Sequence, residues 1–196
     1  MTVADSGNPG DILWNVRQVV PCRRLEPGED LALAEIQARR LLELLGVSQP
    51  PVSLAEITSR LGIHVTADHA MRVVVPQEPE WAADGWHITV ARVDARSARS
   101  VVAHQLKHIL DDQYGAVLYP PTDTLTTVDR RELAADRFSR SLLMPREWLI
   151  EAWRHSHRSQ ELAKRFGAPE AMVRRRLVGL GLVAADEVGV PPPTAG

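Results

Sequence analysis

The chain has 196 residues, 44% of them hydrophobic and 24% charged, with a net charge of −2 at neutral pH. That balance predicts a globular chain of one domain, or one domain with a small appendage, able to bury a sizeable core. It gives no whole-molecule field toward nucleic acid or membrane, no run of about 18 apolar residues suggests a span, and a single cysteine, Cys22, excludes an internal disulfide framework or a site built from several thiolates.

Residues 1–10 are polar, carry no apolar core of a secretory signal, and read as a disordered leader. With the cysteine count, this predicts a reducing cytoplasmic setting. Ile12, Leu13, Val16, Val19 and Val20 then follow helical spacing, with Asp11 as the expected N-cap and Pro21 as the stop. The strongest helix runs from Glu29 to Gly46 on a stripe of Leu33, Ile36, Leu41, Leu44 and Leu45, and Gly46 suits the C′ position. It is expected to pack behind the helix that contains His104. After the stiff Pro50-Pro51 turn, Ser53 and Glu56 form a capping box for a short helix ending near Leu61. Strands are predicted at Ile63 to Ala67, Arg72 to Val75 and Trp86 to Ala91, with 76–85 as a polar loop between the last two. His64, His69 and His87 lack a helical partner and read as strand or surface residues rather than ligands.

Asp94 or Ser97 is placed to cap the next helix, whose apolar face is Val101, Val102, Leu106, Ile109 and Leu110. His104 and His108 stand four apart on it, so both imidazoles lie on one face and can reach one metal ion. The spacing is one letter away from H-E-x-x-H, a pattern of zinc peptidases, and the differing letter is Gln105. The plain alternative is a pair of helical histidines with no metal. Lys107 is expected to be a solvated side chain.

Residues 112–128 form a long loop, a feature often functional in a compact domain, in which Tyr114 and Tyr119 read as rim residues able to offer a hydroxyl. A second helix follows from about Arg131, with Leu133, Phe138, Leu142 and Leu143 at helical spacing and Pro145 as the stop. Glu132 and Asp136 project from one face of it. Glu132 can complete a His₂Glu set that leaves a position open for water, as catalytic zinc sites do. Asp136, one turn on, can accept the second ring N–H of a ligating histidine. The alternative is a solvated acidic edge beside Arg130, Arg131 and Arg137. A short helix over Arg146 to Trp153 comes next, and the His155-Ser156-His157 run is a weak metal pattern explained as cations at a helix end. Residues 160–183 resemble a helix-turn-helix with Arg174, Arg175 and Arg176 on its second helix, but the missing basic footprint argues against nucleic-acid binding. The proline-containing stretch 184–196 reads as a disordered tail.

The run from His104 to His108, followed by Glu132, Ala135, Asp136, Phe138 and Leu142-Leu143-Met144-Pro145, resembles the ImmA/IrrE-type metallopeptidases, found in bacteria and on mobile elements. The likeness extends over roughly residues 11–183, through Pro50-Pro51-Val52, Leu61-Gly62-Ile63-His64-Val65 and Gly85 to Val90. It implies an α+β, mainly helical zincin-like domain with a small three-stranded sheet beside the zinc helix. It implies Zn2+ as cofactor, His104, His108 and Glu132 as metal ligands, Asp136 behind them, and a repressor-like protein as substrate or partner. In such proteins a sheet edge can take up an extended peptide, which points to Ile88 and Val90. Gln105 departs from the family at the general base. An amide cannot carry a proton, so activity is expected to be reduced or lost, and the chain is either a weakened peptidase or a silent zinc-binding regulator acting through its partner.

Overall fold

The computed structural model describes residues 8–26, 28–68 and 78–184. Most of the leader, the tail beyond 184, His69 and the strand expected at 72–75 lie outside the described residues. Helix α1 spans Pro9–Arg17, and its N-cap is Asn8, whose side chain accepts from Gly10 N–H; Asp11 falls in the first turn instead. The helix therefore begins inside the stretch expected to be leader, because Pro9 at the first helical position costs no hydrogen bond. Helix α2, Glu29–Leu45, ends on Gly46 with φ 68°, the left-handed conformation a C′ glycine adopts easily. Helix α3, Leu54–Arg60, starts on the Ser53 hydroxyl, which accepts from Glu56 N–H.

Strands β1 (Ile63–Asp68), β2 (Glu80–Ala82) and β3 (Gly85–Ala91) form one sheet in the order β1-β3-β2. β1 runs parallel to β3, and β2 runs antiparallel to it. The three-stranded sheet was legible, but β2 lies in the stretch read as loop. Ala82 pairs with Gly85, so Ala83 and Asp84 make a two-residue turn, and Gly85 adopts a φ of 124°. Tight reversal of this kind gives a strand too short to show alternation. Ile88 and Val90 face the core, while His87 and Thr89 alternate to the other face beside His64 and Thr66 of β1.

Helix α4, Ala95–Leu110, is capped by Asp94, whose Oδ1 accepts from Arg96 and Ser97 N–H at 3.0 and 3.2 Å. Its C-terminus is closed from α1: Arg17 donates to Leu110 O at 2.9 Å and to Ile109 O at 2.8 Å, satisfying carbonyls that a helix end leaves open. The expected long loop is interrupted by α5, Gly115–Leu118. Helix α6, Thr127–Leu143, begins a turn earlier than predicted because Thr126 and Asp129 form a reciprocal capping box. α7 (Arg146–His155), α8 (Ser159–Phe166) and α9 (Glu170–Gly179) complete the described chain.

α6 lies between α2 and α4, so α2 packs on α6 and not directly behind α4 as expected. The buried residues of α6 include Ala134, Ala135, Ser139 and Ser141, small enough for helices to close on it, with Phe138 and Leu142 filling the core. β3 also packs on α4. The helix bearing the two histidines is thus held by the sheet on one side and by the helix bearing Glu132 on another.

Candidate metal centre

α4 delivers His104 and His108 one turn apart, and α6 delivers Glu132 and Asp136 one turn apart. The packing of these two helices brings the four side chains together. His104 Nε2 lies 3.0 Å from His108 Nε2 and 3.1 Å from Glu132 Oε2, and His108 Nε2 lies 3.3 Å from Glu132 Oε1. On the far side of the His104 ring, Nδ1 is 3.2 Å from Asp136 Oδ1.

Proton bookkeeping in this cluster is short of protons. In the neutral tautomer that donates Nδ1–H to Asp136, the form a metal ligand takes, His104 turns its Nε2 lone pair toward His108 and Glu132. His108 can offer one proton at most from Nε2 to those acceptors. Burial, then the neighbouring His104, Arg131 and Lys107, push His108 down to about 3, so it stays neutral near pH 7. Burial works against an ionised Asp136, but the hydrogen bond with His104 and the charge of Arg140 outweigh it and hold the carboxyl below its usual range. Three electron-pair donors packed this closely, one of them anionic, suit a cation. Zinc bonds of about 2.0–2.2 Å in a tetrahedron would set the donors roughly 3.3 Å apart, close to the separations here. His104, His108 and Glu132 therefore fit a divalent ion, with Asp136 orienting one imidazole as a metal-bound histidine requires. His108 Nδ1 is buried with no such partner among the described residues.

Gln105 follows His104 and is buried, 1% exposed, with Oε1 bonded to nothing among the described residues. Buried amide oxygens are normally paired, so this atom has unused acceptor capacity. Ile88 and Val90 are buried at 1% and 5% exposure, which leaves the backbone of β3, not these side chains, for pairing with a peptide. Beyond β2, the 88–91 part of β3 is paired only with β1 among the described residues.

Two expectations need correction. Lys107 is not solvated: it is fully buried, and its ammonium bonds Asp111 Oδ2 and, at 2.7 Å, the Tyr119 hydroxyl. Tyr119 is not a rim residue, because α5 turns it inward, where its hydroxyl also donates to Asp111. Burial pushes the Lys107 ammonium down while Asp111 opposes the shift, and burial with Asp111 drives the Tyr119 phenol far above its ordinary value. The i,i+4 spacing of Lys107 and Asp111 was a signal for the pair; nothing local pointed to Tyr119. Tyr114 is exposed, as a rim residue would be. Arg176, one of the three arginines of the helix-turn-helix-like segment, is 1% exposed and donates to Glu35 Oε1 at 2.5 Å, in line with the reading against nucleic-acid binding.

A mainly helical α+β domain with two imidazoles on one helix, a carboxylate on a second packed against it and a small sheet alongside is zincin-like in architecture. Residues 84–178, from the β2–β3 turn almost to the end of α9, match the IrrE N-terminal-like domain of the M78 peptidases. The family is one of zinc metallopeptidases. A solved Mycobacterium tuberculosis transcriptional regulator shares the fold, with a TM-score of 0.59 and 22% identity over 87% of this chain and 50% of that one. The chain thus spans half the length of that protein. No curated protein matches the sequence.

Proposed function

We propose that the protein binds zinc through His104, His108 and Glu132, recognises a repressor-like protein partner as ImmA/IrrE-type metallopeptidases do, and hydrolyses it poorly or not at all. The observation that carries this reading is the convergence of three donors from two helices, with a buried amide next to His104 in sequence, at the position of the general base. Zinc, when bound, supplies a Lewis acid that activates water and polarises a scissile carbonyl. The chain's own residues do the rest. Asp136 fixes the His104 tautomer, Glu132 contributes negative charge, and burial keeps His108 in the neutral form that ligates. Gln105 can orient a water through Oε1 but has no oxygen that takes up a proton at neutral pH. Loss of a general base costs about 10²–10⁴ in rate. An extended partner segment would pair with the backbone of 88–91 by strand addition, since Ile88 and Val90 themselves are buried.

The solved neighbour is described as a transcriptional regulator, which agrees with a regulatory role here. With Arg176 locked on Glu35, the α8–α9 pair has lost one of its three candidate phosphate contacts, and DNA binding is not part of this reading. The test is cleavage of a repressor encoded beside this protein, by wild type and by Gln105→Glu at matched zinc occupancy. Cleavage by the Glu variant, at least about 10²-fold faster than by wild type, is the expected result. Equal cleavage by both would refute a general-base role for position 105.

A further inference from the structure

The outer face of the sheet carries a second group of metal-ligand residues, remote in sequence from the first. Parallel pairing sets His64 of β1 directly beside His87 of β3, with Thr66 beside Thr89 two residues on. The two imidazoles stack at a centroid separation of 4.7 Å and an interplanar angle of 21°. Asp84, in the β2–β3 turn, lies over their Nε2 edges: Oδ1 is 2.8 Å from His87 Nε2, Oδ2 is 3.7 Å from His64 Nε2, and the Asp84 carbonyl is 3.2 Å from the same atom. The turn is held in that place by its backbone. A Cβ at Gly85 would lie 2.8 Å from Gly62 O, so the hairpin presses against the start of β1 as only glycine allows. Glu80 of β2 pairs with His87 across the antiparallel ladder, which puts a further exposed carboxylate on the same face.

The geometry points to a second divalent-metal site here, formed by His64, His87 and Asp84, that takes a borderline transition ion of the zinc, nickel and copper class. Two imidazoles and a carboxylate are the donor set such ions select. Their ligand atoms already lie within 4.8 Å of one another. The rings are near parallel, so their Nε2–H groups point side by side toward the oxygens of Asp84, and an ion that binds there displaces those protons. Turning them onto one ion needs only rotation about the second side-chain torsion, which is broad and shallow for histidine. Both histidines and Asp84 are solvent-accessible, so an ion can enter without opening the fold. Water completes the coordination, or Glu80 does. The bound ion would staple the β2–β3 hairpin to β1 at the N-terminal end of β3.

The test is equilibrium dialysis of the full chain against Zn2+, counting ions per chain for wild type, His64→Gln, His87→Gln and His104→Gln. His64 is exposed and His87 half-buried, and circular dichroism checks that the variants fold. Two zinc ions per chain are expected in wild type, with the weaker one lost in His64→Gln and in His87→Gln and retained in His104→Gln. Unchanged zinc binding in His64→Gln and His87→Gln overturns the proposal, as does a wild type that holds a single ion dependent on His104. Loss of an ion in His64→Gln and His87→Gln with none lost in His104→Gln would uphold this site while refuting the centre between α4 and α6.

Discussion

Gln105 and Lys107 stand two apart on α4 and are both buried, but their side chains meet different surroundings. Gln105 keeps an unpaired oxygen, whereas Lys107 is tied to Asp111 and Tyr119 in a fully buried group. Removing one partner of such a group strands the other charge. Lys107→Met is therefore expected to cost about 3–5 kcal/mol in urea unfolding, because Asp111 remains buried without its cation. Tyr119→Phe removes a hydroxyl from the same oxygen and is expected to cost about 1–3 kcal/mol. A Lys107→Met variant as stable as wild type would show that the group has no such role. The candidate donor group was legible because helical spacing puts His104 with His108 and Glu132 with Asp136 on common faces. Lys107 was misread because a lysine next to a ligand says nothing of what turns over it; α5 and Tyr119 arrive from the following loop.

α6 is the element through which the rest is connected. Its packing sets the distance from Glu132 to the imidazoles, and Arg137 on it approaches Glu35 of α2, the carboxylate that also receives Arg176 of α9. Burial disfavours an ionised Glu35, but Arg176 and Arg137 outweigh it and hold its carboxyl below the ordinary value of 4.5. A carboxylate depressed in the folded state stabilises above its unfolded pKa, and that contribution fades as pH falls through the lower folded value. Glu35→Gln is expected to cost about 1–2 kcal/mol near neutral pH, discounted for the carboxylate's partial exposure, and to flatten the stability profile as pH falls below the ordinary carboxyl value. A variant whose acid profile matches wild type would contradict this assignment. Arg99 links α4 to two distant segments by donating to Gly167 O at 2.8 Å and to Val52 O at 2.7 Å. Arg99→Ala is expected to destabilise by about 1–3 kcal/mol through the carbonyls it leaves bare, measured by the urea midpoint. Helices α2, α4 and α6 were readable from periodicity and caps. β2 was not, since three residues are too few to alternate, and the packing of α2 on α6 could not be read from stripes that only say a face is buried. The pairing of His64 with His87 was equally hidden, because parallel register is set by the sheet and not by spacing along the chain.

For the molecule as a whole, the proposed zinc binding would be linked to folding. The cluster of lone pairs between α4 and α6 is disfavoured without a cation, so an ion that binds the folded chain raises stability by mass action, about 2.7 kcal/mol at a free concentration 100 times its Kd. Chelation is expected to lower the midpoint of thermal unfolding, and added Zn2+ to restore it. The replacement at 105 is expected to leave this linkage intact, since that side chain is not among the three donors. The most direct measurement is the zinc affinity of the tighter event in wild type, Gln105→Glu and Glu132→Gln, by competition with a chelating dye. Equal tight binding in the first two, with loss of the tight event in Glu132→Gln, is the predicted result. Unaltered tight binding in Glu132→Gln would contradict the three-donor centre.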